Sequence, residues 1–139
     1  MSAADLGADT QALEKAVLQA AAKIVSDFGS HATEAYFAGF APSATFIFHT
    51  HTERLNSRAE YETLWAKWES EDGFKVHGCT SINQLVQLLG DDAAVFSHLV
   101  ESQVEFAGEV STVNERETIV FELVNGAWLA VHEHLSPEA

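Results

Sequence analysis

The sequence predicts an α+β domain: three N-terminal helices packed on a curved, mostly antiparallel sheet. Three observations carry this reading. Apolar residues recur at helical spacing as far as Asp72, and that period is absent from Phe74 onward. The turn signals Gly90-Asp91-Asp92, Ala107-Gly108 and Asn125-Gly126 divide the second half into four strands. The two hairpins formed by the last three strands, read independently, agree on one apolar face, which helices must cover.

Residues 1–8 read as a flexible N-terminus, and 9–139 as a single domain. Asp9 and Thr10 are N-cap candidates for a first helix running to Phe28 and stopped by Gly29. Leu13, Val17, Ala20, Ala21, Ile24 and Phe28 form its apolar stripe. Ser30 is placed to cap a shorter helix through Phe40, ended by Ala41-Pro42-Ser43. Thr45–Thr52 alternates and is rich in β-formers, with Phe46 and Phe48 on one face and Ile47, His49 and His51 on the other. Ser57 and Glu60 match a capping box. The helix that follows carries Tyr61, Leu64, Trp65 and Trp68 on one side and stops at Gly73.

Charge and composition exclude several classes. With 7 Lys and Arg against 21 Asp and Glu, the chain carries a net charge of −14, which repels phosphate backbones and anionic lipid. Neither nucleic acid nor a membrane is an expected partner. Hydrophobic residues make up 47%, enough for a folded core in 139 residues. The single cysteine, Cys79, excludes an internal disulfide and reads as a small buried hydrophobe. No signal-like stretch opens the chain, and no apolar run is of membrane-spanning length. The expected location is cytoplasmic. A phosphate-binding Gly-rich loop and a nucleophile elbow are both missing from the sequence.

Register places the candidate chemistry. A two-residue Ala107-Gly108 turn sets Phe96 opposite Ile119, His98 opposite Glu117 and Val100 opposite Glu115. The Asn125-Gly126 hairpin allows two registers. A two-residue loop sets Leu123 opposite Trp128 and mixes both faces. A three-residue loop sets Phe121 opposite Leu129, Ile119 opposite Val131 and Glu117 opposite Glu133. Register follows the apolar pattern where one face is buried, which favours the three-residue loop. Trp128, His132 and His134 then lie on the outer face.

The ending Arg116-Glu117-Thr118-Ile119-Val120-Phe121, then Asn125-Gly126-Ala127-Trp128, then Val131-His132-Glu133-His134-Leu135-Ser136 resembles SnoaL-like domains of the nuclear transport factor 2-like superfamily. The resemblance is to the branch that includes the calcium/calmodulin-dependent protein kinase II association domain. It extends over the chain through element order, and its specific motif is the last hairpin. It implies a single SnoaL-like domain over 9–139, a cone-shaped fold with an internal cavity, and a homodimer through the outer sheet face, to which Trp128 would contribute. The superfamily includes ketosteroid isomerases, cyclases, dehydratases, ligand binders and assembly modules, so one activity does not follow. The isomerases use a pocket aspartate as base; here no Asp lies in Thr45–Thr52 or at inward positions of the last strands.

Two constellations stand out. His98, Glu117 and Glu133 form a row on the helix-facing side, with facing Cβ atoms roughly 5 Å apart. Two desolvated carboxylates so placed do not readily both ionise, and an adjacent imidazole completes a group able to shuttle protons. The alternative is a satisfied polar network, or a row at a solvated rim. The second constellation is histidine: His49 and His51 on one strand, His132 and His134 on another, which could converge on Zn²⁺ or Ni²⁺. Its alternative is a metal-free, histidine-rich interface, and no cofactor is expected. Tyr36, Phe48, Tyr61, Trp65 and Phe96 are the candidate walls of a pocket for a small, largely apolar molecule. Two functions remain open: a ligand-binding domain, with or without proton-transfer catalysis of the isomerase, cyclase or dehydratase type in which His98, Glu117 and Glu133 are the catalytic groups, or a non-catalytic dimerisation or assembly module.

Overall fold

The computed structural model describes residues 3–138, with side chains from residue 9 onward. The order is α1 (Ala3–Gly29), α2 (Thr33–Ala38), β1 (Phe40–Phe48), α3 (Arg58–Asp72), β2 (Lys75–Leu88), β3 (Ala93–Phe106), β4 (Glu109–Val124) and β5 (Ala127–Pro137). The strands form one sheet in the order β1-β5-β4-β3-β2. The meander β2-β3-β4-β5 is antiparallel, and β1 returns to lie parallel beside β5.

Local chemistry accounts for most element ends. The Ser57 hydroxyl accepts from the Glu60 N–H at 3.1 Å, and α3 ends with Gly73 in the left-handed conformation at φ 62°. Glu60 bonds the N–H of Asn56 rather than that of Ser57, which shifts the capping box by one residue. Helix α1 buries Val17, Ala21 and Ile24, the stripe expected from the spacing. Its C-terminal end lies close on β2: a Cβ on Gly29 would sit 3.0 Å from the Cys79 nitrogen.

Three boundaries differ from expectation. Helix α1 starts at Ala3 rather than at the Asp9-Thr10 caps, since nothing from Ala3 to Ala8 breaks a helix beyond the modest cost of Gly7. Met1, Ser2 and Ala139 lie outside the described residues. Ser30 does not cap α2; its hydroxyl donates back to the Ser26 carbonyl of α1 at 2.9 Å, and Ala32 is the N-cap. Strand β1 begins at Phe40 and runs through Pro42, where the helix was expected to break. It is an edge strand, and its register with β5 slips between Phe40 and Thr45, so the missing proline N–H costs no regular ladder bond.

The β3–β4 register is the one counted from the sequence, with Phe96 opposite Ile119 and His98 opposite Glu117. The β4–β5 register is not. Asn125 and Gly126 both have positive φ, 49° and 84°, and form a two-residue turn. Leu123 therefore faces Trp128 and Phe121 faces Ala130. One residue later the ladder slips at a β-bulge at Val131, so that Val120 faces His132, Ile119 faces Glu133 and Glu117 faces Leu135. The bulge restores what the three-residue loop was invoked to explain. Phe121, Ala130, Ile119 and Glu133 all lie buried on the inner face. It also overturns the placement of Trp128 and Leu129. Trp128 shares the face of Ala130 and packs against the core, whereas Leu129 lies on the other side.

The helices cover the inner face. Trp65, Phe40, Phe46, Phe96, Phe121, Ile119 and Val17 are the largest fully buried side chains between helices and sheet. Among the described residues, no helix is long and apolar enough to cross a membrane.

Candidate functional site

The inner face gathers His98 from β3, Glu117 from β4 and Glu133 from β5, respectively 4%, 7% and 3% exposed. His98 and Glu117 are direct cross-strand partners, and His98 Nε2 donates to Glu117 Oε1 at 2.6 Å. With the proton on Nε2, Nδ1 accepts from the Ser81 hydroxyl at 2.5 Å, and Ser81 in turn accepts from Gln84 Nε2 at 2.9 Å. The break in the β2–β3 register between Ile82 and Leu85, with Asn83 at φ 54°, folds Gln84 back onto Ser81. Glu133 lies one diagonal step from Glu117, within reach of a long side chain.

The two carboxyls respond oppositely to this setting. Burial, followed by the Glu117 charge and a hydrogen bond to Glu117, pushes Glu133 well above the usual carboxylate range. Burial alone would raise Glu117 as well, but hydrogen bonds from Glu133 and His98 outweigh it and hold Glu117 below its ordinary value. The opposite shifts leave the pair with one proton, held on the Glu133 side. Glu133 Oε1 is buried and has no hydrogen-bond partner among the described residues.

Glu133 and Glu117 open onto a cavity of about 140 Å³ between helices and sheet. Tyr36, Phe48, Tyr61, Trp68 and Phe74 supply aromatic walls, and exposed Thr50 lies at its open end. The Tyr36 and Tyr61 hydroxyls bond each other at 3.0 Å, and burial, then the Glu133 charge, raises both phenols well above their usual range. Glu115, at the same wall, is bonded to His49 at 2.5 Å, and its carboxyl is raised, chiefly by burial.

Of the eight pocket residues expected from the sequence, Tyr36, Phe48, Tyr61, Glu117 and Glu133 line the cavity. Trp65 and Phe96 do not; they are fully buried in the core. His98 stands behind Glu117, its side chain closed off from solvent. Sequence reasoning missed Ser81, Cys79 and Glu115 as members of the site, and of the two tryptophans on the aromatic stripe of α3 it is Trp68, not Trp65, that lines the cavity. Glu115 was within reach, because it shares the alternation of Glu117. Cys79 lines the cavity, and burial pushes its thiol up to about 11, which leaves it a poor nucleophile at neutral pH.

The four histidines are not brought together. Parallel pairing sets Thr45 opposite His132 and Ile47 opposite His134, so His49 and His51 lie beyond the end of β1. His49 bonds Glu115, and His132 Nδ1 bonds Thr45 Oγ1 at 2.8 Å. Among the described residues no group of three or more His, Cys, Asp or Glu side chains could hold a metal. His132 and His134 do lie on the outer face, where a wider depression of about 510 Å³ runs over Arg116, Thr118 and His134.

A family model for the calcium/calmodulin dependent protein kinase II association domain matches residues 14–139. A search of curated proteins gave no match. Among solved structures, the association domain of C. elegans CaMKII is 20% identical, with a TM-score of 0.70 over 91% of this chain and 96% of that one. An NTF2-like protein from Cytophaga hutchinsonii is 13% identical, with a TM-score of 0.74 over 99% and 100% of the two chains. An NTF2-like protein of unknown function from Pseudomonas putida is 16% identical, with a TM-score of 0.73 over 91% and 87%. These likenesses establish the NTF2-like fold.

Proposed function

Because the chain belongs to the calcium/calmodulin dependent protein kinase II association domain family, we propose that it is a self-associating domain that holds a small, largely apolar ligand between its helices and sheet. One observation carries the ligand reading: Glu133, whose Oε1 is a buried polar atom without a partner among the described residues, lines a cavity whose other walls are mostly aromatic and aliphatic. An unpaired buried acceptor costs about 1–3 kcal/mol, and a ligand that donates a hydrogen bond to it recovers that cost. A volume of about 140 Å³ is close to that of an apolar cavity of about 150 Å³ known to accept benzene, so the ligand is of single-ring size. NMR titration with benzyl alcohol tests the reading. Resonances of Tyr36, Tyr61 and Glu133 should shift together and saturate; cavity resonances that stay fixed up to millimolar probe would refute it.

The self-association reading rests on the family and on the outer sheet face. That face carries exposed Ile47, half-buried Leu129 and Val131, and the depression over Arg116 and His134. It supports a homodimer through that face. Trp128 has no part in it, since it packs inward.

Proton-transfer catalysis is a second reading, favoured by the split of the carboxyl pair. A protonated Glu133 beside an ionised Glu117 is a general acid held ready in a desolvated pocket, with His98 fixing Glu117 from behind. Glu133→Gln would abolish turnover in an enzyme and change only affinity in a binding module.

A further inference from the structure

We infer that the ligand of this cavity is a small organic cation, an aromatic or alicyclic ammonium compound whose N–H groups donate to Glu133 and whose ring lies among Tyr36, Tyr61, Phe48 and Trp68. The inference rests on the cavity-binding reading above and adds the chemical class. It follows from the hydrogen-bonding balance of the wall. Glu117 accepts from His98 Nε2. The Glu133 side chain lines the cavity, and its Oε1 is a buried acceptor with no donor among the described residues. Among the cavity-lining residues Glu115, Glu117 and Glu133 are carboxylic, and none is Lys or Arg. Of these, Glu115 has its own imidazole partner in His49. Glu117 and Glu133 together retain one negative charge on one shared proton. An ammonium group supplies both the missing donors and the opposite charge. A carboxylate ligand would add a further anion to this wall. An alcohol supplies a donor but no charge.

The walls fit the same class. The phenol rings of Tyr36 and Tyr61 meet edge to face at 6.0 Å, and Tyr61 lies 5.0 Å from Phe48 and 6.3 Å from Trp68, so a continuous cluster of rings lines the same cavity as Glu133. Aromatic faces attract cations within roughly 6 Å of the ring centroid.

The test is a charge series on one frame: benzylamine, benzyl alcohol and benzoate, titrated into the purified protein with NMR and calorimetry at neutral pH. Benzylamine should bind at least tenfold tighter than benzyl alcohol, and benzoate should not bind. If benzyl alcohol binds as tightly as benzylamine, the cavity reading stands and the cation inference fails. Should none of the three shift cavity resonances, both fail. Because the whole chain is acidic, the same series is run on the Glu117→Gln, Glu133→Gln double variant, which leaves the pair without charge, with its fold checked by circular dichroism. The benzylamine advantage should largely disappear. An advantage that persists unchanged in the double variant locates the amine elsewhere on the surface and overturns the inference.

Discussion

Glu133 is costly to the fold as well as useful to the site. Its folded carboxyl keeps its proton far above the value of 4.5 at which an ordinary glutamate releases it. Between those two limits the folded chain holds a proton that the unfolded chain has lost. Stability therefore falls as pH rises through that window, by about 1.4 kcal/mol per pH unit for one proton. Glu117 acts with the opposite sign: its lowered value stabilises the fold above the usual glutamate range, and that contribution is lost in acid. Tyr36, Tyr61, Cys79, His98 and Glu115 surround the pair, so the difference between proteins is the informative quantity. Glu133→Gln should melt higher than the parent at pH 7 and show a flatter dependence on pH above about 5. Thermal unfolding of both proteins from pH 5 to 9 checks this. Parallel curves would mean that Glu133 ionises normally in the folded state.

At the scale of elements, the last hairpin decides the site. The Asn125-Gly126 turn starts β5 in one register, and the Val131 bulge moves it to the next. Without the extra residue, Ala130 and Glu133 would point to opposite faces, since an odd separation in a regular strand changes sides. Both point inward, and Glu133 reaches Glu117 as a result. The turn that begins this has a strict backbone requirement. Gly126 sits at φ 84° with nothing near the position of a Cβ, so the cost of a side chain there is conformational and not steric. Gly126→Ala should lower stability by about 1 kcal/mol, read as a lower urea midpoint with unchanged slope. A neutral result would show that the turn tolerates the change by adopting another type.

For the whole molecule, the sheet has one covered and one uncovered side. Helices occupy the inner face, while Ile47 remains exposed on the outer face and Val120, Leu129 and Val131 are only half buried. A self-associating domain that uses this face should sediment as a multiple of the chain mass at micromolar concentration. Ile47→Glu should shift it toward monomer without loss of helix signal, because the side chain is already exposed in the single chain. Monomeric parent protein would remove the outer face as an interface.

Much of this was legible in the sequence because it is local. Helical and strand periods, the Ser57 cap, the Gly73 stop and the Ala107-Gly108 turn depend on neighbours in the chain, and they set element order, the β3–β4 ladder and the meeting of His98 with Glu117. The inward placement of Glu117 and Glu133 was also legible from alternation, although through a register two residues away from the true one. What the sequence could not contain is where alternation is interrupted. A bulge costs one residue and leaves no signature in composition, so Val131, the inward Trp128 and the diagonal pairing of the glutamates came from the sheet itself. The tryptophans of α3 show the same division. Trp65 and Trp68 share one helical stripe in the sequence, yet Trp65 fills the core under α2 and Trp68 lines the cavity. Spacing along a helix determines which face a side chain takes, but the depth it reaches depends on what the rest of the chain packs against it.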